Sequence, residues 1–324
     1  MNSTQQPIVI TCGDPAGVGP EVAVSAWKAL QDEIPLCIVM DPIFLPKNVK
    51  VKILDRAPLI SEIEKNVLTV IRHEFAAHRE PGKPNPKNAE ATITAVERAV
   101  NFCKSKQCAA ICTMPISKSI LKNGANFLFP GHTEYLAHLD ESDTYGMMLV
   151  NRYLRVVPAT IHIPIKDINK HLNSELIEKT IRITHQELTN RFAITNPVIW
   201  ISGLNPHAGE AGTIGDEEKK LIEPVIKKLL SERYNLVGPI SADTMFYRKK
   251  RHKFDAAICM YHDQALIPIK TLDFHSSVNL TIGLSFIRTS PDHGTAFDIA
   301  GKNLANPTST IEAIKLAWKL AEKE

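Results

Sequence analysis

Short apolar runs separated by longer amphipathic stretches set the rhythm of this chain. Residues 8–12, 36–40, 49–54 and 109–112 are runs of aliphatic and small residues of strand length, and 88–104 between them carries apolar positions at helical spacing. The pattern resumes after residue 153. It predicts strands at 156–161, 198–202, 256–260 and 278–282, and helices from Asn173 or Ser174 to about 192 and over 216–231. A final helix is predicted to open on a capping box of Ser309 and Glu312, with Ile311, Ile314 and Trp318 on its apolar face. Alternation of this kind predicts an α/β fold with a mostly parallel sheet. Two α/β/α lobes with a cleft between them fit the length, the last helix returning to the first lobe. The expected division is residues 1–128 plus 283–324 for one lobe and 129–282 for the other.

Three of the predicted strands end in the same way. The run at 156–161 stops at His162, that at 198–202 leads through Leu204-Asn-Pro to His207, and that at 256–260 leads through Tyr261 to His262, Asp263 and Gln264. In open α/β sheets ligands bind beyond the carboxyl ends of strands, so three such ends can converge. Three neutral imidazoles suffice to hold a catalytic divalent metal with one position left open. The expectation is a metal, zinc, cobalt or magnesium, at His162, His207 and His262. Any one of them alone is a structural histidine more often than a ligand.

Composition narrows the classes. At 324 residues with 44% apolar and 23% charged residues the chain is globular, and a net charge of +3 is close to balance. With no basic block or aromatic-spaced basic stripe of the kind nucleic-acid binding needs, nucleic acid is excluded as the expected partner. The start is polar, residues 1–7 lack the regions of a signal peptide, and no apolar run reaches membrane-span length, so no membrane partner and a cytoplasmic location are expected. Six cysteines inside apolar runs read as reduced core thiols.

Other motifs carry two readings each. Gly13-Asp-Pro-Ala-Gly-Val-Gly-Pro-Glu21 is a strand-to-helix turn without the spacing of a dinucleotide or phosphate loop. Its amides either bind an anion or simply turn the chain, and Asp14 either serves a ligand or caps the helix. His132 and Thr133 open a helix, where they contact a phosphate or carboxylate or act as a cap. The loop after His207 is glycine-rich, as active-site loops are. Asp243 and Asp263 could move a proton or orient a metal ligand, although Asp243 could equally cap a short helix. Lys270, Asn279 and Arg288 suit a doubly charged phosphate if they share a cleft, and are solvated surface if they do not.

Taken together, Gly13–Glu21, Pro130-Gly-His-Thr-Glu134, Leu204-Asn-Pro-His-Ala-Gly-Glu210, Ala242-Asp-Thr244, Tyr261-His-Asp-Gln264, Val278-Asn-Leu-Thr-Ile-Gly283 and Phe286-Ile-Arg-Thr-Ser290 resemble the 4-hydroxythreonine-4-phosphate dehydrogenases of pyridoxal phosphate biosynthesis. The likeness runs nearly end to end, with Ala265 and Ser285 as small departures from the family pattern. His293-Gly-Thr-Ala-Phe-Asp-Ile-Ala-Gly-Lys302 with Asn306-Pro307 is similar to the adenine-binding loop of isocitrate and isopropylmalate dehydrogenases, whose fold the family shares. The resemblance implies the three-histidine metal, substrate contacts from His132, Thr133, Lys270, Asn279 and Arg288, and cofactor contacts from His293, Gly294 and Asn306. It also implies NAD or NADP as cofactor and a homodimer with shared active sites. The implied reaction is oxidation of 4-phosphooxy-L-threonine at C3 followed by decarboxylation to 3-amino-2-oxopropyl phosphate, with Asp243 or Lys270 as the proton-transfer group. A paralogous dehydrogenase of 4-phospho-erythronate or threonate is the nearest alternative; a non-enzymatic binding protein and a zinc hydrolase are the others.

Overall fold

The computed structural model describes residues 6–323; Met1–Gln5 of the polar start lie outside them. The chain forms two compact units, one running to Asp143 and resuming over Leu284–Glu322, the other spanning Thr144–Gly283 and joined by Lys323. In chain order the first unit holds β1 (Ile8–Thr11), α1 (Gly19–Leu30), β2 (Leu36–Met40), β3 (Val51–Leu54), β4 (Leu68–Arg72), α2 (Ala89–Lys104), β5 (Ala110–Thr113), α3 (Lys118–Ala125) and α4 (His132–Asp140). The second holds β6 (Gly146–Val150), β7 (Arg155–Thr160), α5 (Ile168–His171), α6 (Ser174–Asn190), β8 (Val198–Ser202), α7 (Glu223–Ser231), β9 (Asn235–Ile240), β10 (Ala256–Tyr261), α8 (His262–Leu272) and β11 (Val278–Ile282). Back in the first unit, β12 (Ile287–Pro291) and α9 (Thr308–Ala321) complete it.

The α/β architecture with a mostly parallel sheet expected from the apolar rhythm is present. In the first unit the strands lie in the order β3-β4-β2-β1-β5-β12, all parallel. Alternation of side chains sorts its core: Val9, Cys37, Val39 and Ile111 meet the α2 face of Ala95, Val96, Ala99 and Val100. On β12 and β5 packs α9, which also meets α1. In the second unit the order is β11-β6-β7-β10-β8-β9, and β6 runs antiparallel to both neighbours. Its core gathers Leu149, Val156, Ala257 and Cys259 against Ala265 and Ile269 of α8.

Several expectations are corrected. Strands β4, β6, β9 and β12 are absent from the sequence reading; β12 is Ile-Arg-Thr-Ser-Pro, buried throughout, and its polar residues mask it. Ser309 is not a cap but the second residue of α9, and its hydroxyl accepts from the Asp292 amide at 2.9 Å. The turn before that helix is made by Asn306, whose Oδ1 accepts from the Thr308 amide at 3.0 Å. The buried face of α9 is Thr310, Ala313, Ile314, Ala317 and Leu320, with Ile311 and Trp318 only half-buried. The predicted helix at 216–231 begins as a π-type turn over Glu218–Ile222 before α7.

All six cysteines are free and buried, and burial pushes the thiols of Cys12, Cys112 and Cys259 up to about 12. They are inert core residues, as their apolar setting suggested. Among the described residues no helix is long and apolar enough to cross a membrane.

Candidate active site

In the second unit, parallel pairing of β7 with β10 sets Thr160 level with Tyr261, so the two strands end side by side. His162 follows β7 and His262 follows β10 as the first residue of α8. Their ring centroids lie 5.8 Å apart at 40°. Both line a hollow of about 180 Å³ with Thr160, Tyr261, Asp263 and the aliphatic Ile161, Ile165 and Ile168. His162 has a left-handed backbone, φ 45°, a conformation that costs a non-glycine residue on the order of 1–3 kcal/mol and persists where surrounding structure imposes it. The Nδ1 of His262 lies 2.7 Å from Asp263 Oδ1. A proton on that nitrogen leaves Nε2 with its lone pair outward, which is how a carboxylate prepares an imidazole for a metal.

His207 stands apart from that hollow's lining. It sits exposed on the Pro206–Gly212 turn, where His207 through Ala211 all have positive φ between 41° and 74°. Five successive left-handed residues do not persist on local preference. Glu218, 2% exposed, holds the turn's entry: its Oε1 accepts from the amides of Leu204 and Asn205 at 2.8 and 2.7 Å, and Oε2 from Asn205 Nδ2 at 3.0 Å. Gln264 ties the ends of β8 and β10 together, accepting from Ser202 Oγ and the Met260 amide at 2.7 Å each and donating to the Gly203 carbonyl at 2.8 Å. Among the described residues no three His, Cys, Asp or Glu side chains form a metal-ligand group. The donor chemistry suits a divalent cation nonetheless: two imidazoles share one hollow, one of them oriented by a carboxylate, and a third stands on a braced turn.

The first unit carries a different site. Arg288, the second residue of β12, is 2% exposed and donates from Nε and Nη2 to Thr113 Oγ1 at 3.1 and 2.7 Å. Burial brings its pKa down to about 10, which leaves it cationic at neutral pH. His132 is the first residue of α4, and its Nε2 is buried with no partner among the described residues. Burial, then the charges of Arg288 and Lys118, hold that imidazole well below its ordinary pKa, hence neutral. Lys118 opens α3, and its Nζ lies 3.7 Å from where a side chain on Gly131 would begin. Sequence reasoning passed over Lys118 and Thr113; the signal available was their place at and just past the carboxyl end of β5. A buried guanidinium, an ammonium, an unpartnered imidazole nitrogen and the amino end of α4 around Thr133 make a receptor for an anion.

The remaining expected residues each have their own local setting. Lys270 is on α8 with Nζ 5.5 Å from the Phe274 ring centroid, and Asn279 on β11 has a buried Oδ1 without a partner among the described residues. Asp243 is exposed in the Ala242–Thr244 turn and accepts from Ser241 Oγ; Ser241, not Asp243, is the residue that precedes this turn. His293 Nδ1 lies 3.0 Å from the Gly294 carbonyl, its Nε2 is buried with no partner among the described residues, and Gly294 faces open space. The Gly13–Glu21 turn is no anion cradle. The amides of Asp14, Ala16, Gly17 and Val18 are taken by Pro115, Asp14 Oδ1, Asp14 and Thr295, so Asp14 shapes the turn rather than capping α1.

Parallel strands that end at paired imidazoles in one unit, with a buried arginine inside β12 of the other, are the architecture of an α/β enzyme. The family model described as pyridoxal phosphate biosynthetic protein PdxA matches residues 22–317, and the chain belongs to that family. A 4-hydroxythreonine-4-phosphate dehydrogenase of Roseobacter denitrificans is 51% identical over 324 residues, covering 100% of this chain and 99% of the relative. One from Ruegeria is 47% identical over 322 residues, covering 99% of each. The crystal structure of 4-hydroxythreonine-4-phosphate dehydrogenase from Klebsiella pneumoniae superimposes with a TM-score of 0.89 at 33% identity, over 98% of this chain and 100% of that one.

Proposed function

We propose that the chain oxidises 4-phosphooxy-L-threonine at C3 with NAD or NADP and that the β-keto acid so formed loses CO₂ to give 3-amino-2-oxopropyl phosphate. The observation that carries this reading is the buried Arg288 guanidinium beside a neutral His132 with an unpartnered Nε2, in a chain half identical along its length to a dehydrogenase of that name. Arg288, His132 and Thr133 bind the substrate together with Lys270 and Asn279, the phosphate being the group that most needs a fixed cation. His162, His207 and His262 would hold a zinc, cobalt or magnesium ion, and Asp263 fixes the tautomer of His262. When bound, such an ion supplies Lewis acidity that lowers the pKa of a hydroxyl group. The nicotinamide, held through His293, Gly294 and Asn306, supplies the hydride acceptor. Asp243 or Lys270 takes the hydroxyl proton and returns one after CO₂ leaves.

The protein works as a cytoplasmic homodimer with shared active sites in this reading. Supporting it, Ile165 at the imidazole hollow, Ile267 on α8 and Phe274 just past that helix leave apolar surface open. The test is an assay of 4-phosphooxy-L-threonine and 4-phospho-erythronate, each with NAD and with NADP, followed by nicotinamide absorbance. Turnover of the amino-acid phosphate alone is expected; preference for the sugar-acid phosphate would move the assignment to the paralogous reaction.

A further inference from the structure

At the opposite ends of β7 and β10 from His162 and His262 lies a second basic site. The chain there is more basic than its overall balance suggests. Residues 248–253 read Arg-Lys-Lys-Arg-His-Lys, a basic run contrary to the expectation that none exists. Its fourth residue, Arg251, helps line a hollow of about 70 Å³ together with Arg152 of the turn into β7 and Arg155, the first residue of that strand. Three arginines face it against a single acidic residue, Asp255, whose Oδ2 is committed to the Val198 amide at 2.8 Å.

Aromatic rings and acceptors position the guanidiniums, that of Arg152 on an exposed side chain. Arg152 and Arg251 both lie over the Tyr153 ring, 4.6 and 5.1 Å from its centroid, and Arg155 lies 4.5 Å from that of Phe192. Arg155 donates to the Asp255 carbonyl at 2.9 Å, and Arg152 has Asp273 at 3.5 Å. The Nε groups of Arg155 and Arg251 are nevertheless buried with no acceptor among the described residues. A buried charged donor without an acceptor is costly, and so is the crowding of like charges within a Debye length. One ligand removes both costs.

We propose that this hollow binds a phosphate-class oxyanion, either free phosphate or the phosphate end of a small metabolite. Planar guanidinium forks match tetrahedral oxyanions. A hollow of about 70 Å³ has room for a tetrahedral ion or a terminal phosphate group. All of its lining residues belong to the second unit, and none is part of the receptor at Arg288. A six-residue strand spans roughly 20 Å, which also sets it apart from the imidazole hollow beyond the carboxyl ends of the same strands.

The experiment is calorimetric titration of the full chain with inorganic phosphate at constant ionic strength, made up with chloride. Wild type, Arg251→Gln, Arg152→Gln and Arg288→Ala are compared, with substrate KM measured on the first three. Arg251 and Arg152 stand on turns, so their variants are expected to fold, and circular dichroism checks this. Expected are one phosphate fewer per chain, or an affinity at least tenfold weaker at one site, in both turn variants with KM unchanged, and the same site retained in Arg288→Ala. 4-Phosphooxy-L-threonine competing for the retained site would identify the metabolite as the source, and no competition would identify free phosphate. Identical phosphate stoichiometry and affinity in wild type and both turn variants overturns the proposal. So does single-stranded oligonucleotide binding that exceeds phosphate binding and disappears in those variants.

Discussion

Arg288 shows how much a single buried charge depends on its neighbours. It survives inside β12 because Thr113 accepts two of its donors, and its low exposure makes it an anion receptor rather than a solvated surface group. Arg288→Ala is expected to remove charge-assisted bonds worth about 1.5–3 kcal/mol each, raising substrate KM roughly 10- to 100-fold with little change in that of the cofactor. Steady-state kinetics in both substrates checks it, and an unchanged KM removes the residue from the phosphate site. His132 makes a prediction about pH. Its folded pKa is depressed by burial, so below the unfolded value near 6.5 the unfolded chain binds more protons than the folded one. Stability from this group is therefore complete above about pH 6.5 and declines as pH falls below it. Melting curves should fall less steeply below that pH in His132→Asn than in wild type. His73 and His185, depressed by burial too, contribute with the same sign and remain in the variant.

At the level of elements, the turns after strands do the positioning. The Pro206–Gly212 turn holds five left-handed residues because the Glu218 carboxylate braces its entry. Replacing Glu218 with Gln puts an NH₂ group among donors. The expected outcome is a higher metal concentration for half-maximal activity, with activity recovered at saturation, read from a metal titration of the apo-protein. The Gly13 turn makes a purely structural prediction. At φ +68°, with a Cβ that would stand 2.3 Å from the Pro115 carbonyl oxygen, Gly13→Ala should destabilise by at least about 1 kcal/mol in urea unfolding. Some of this was legible in advance. The apolar runs at 156–161 and 256–260 located His162 and His262, since a buried parallel strand must end where polar residues begin. β12 was not legible, because Arg-Thr-Ser carries no apolar period and its burial is made by partners distant in sequence.

For the molecule as a whole, the three-histidine reading has a direct test. His207→Ala is expected to reduce metal-dependent turnover roughly 100-fold or more while circular dichroism and melting stay close to wild type, because the residue is exposed on its turn. Near-normal turnover of that variant in metal-stripped buffer would end the case for His207 as a ligand.

The sequence by itself determined the α/β class, the strand ends bearing His162 and His262, the reduced cysteines and, through its motifs, the family. Each is local: apolar periodicity, strand length and contiguous motifs need no knowledge of distant residues. Tertiary structure decided what contact between remote segments decides. It buried Arg288 against Thr113 and gave Lys118 a place beside Gly131. It turned β6 antiparallel to its neighbours and filled the amides of the Gly13 turn. It also gathered three arginines around a hollow at the far ends of β7 and β10. Burial, charge proximity and hydrogen-bond satisfaction are pairwise quantities, and chain order alone does not say which pairs meet.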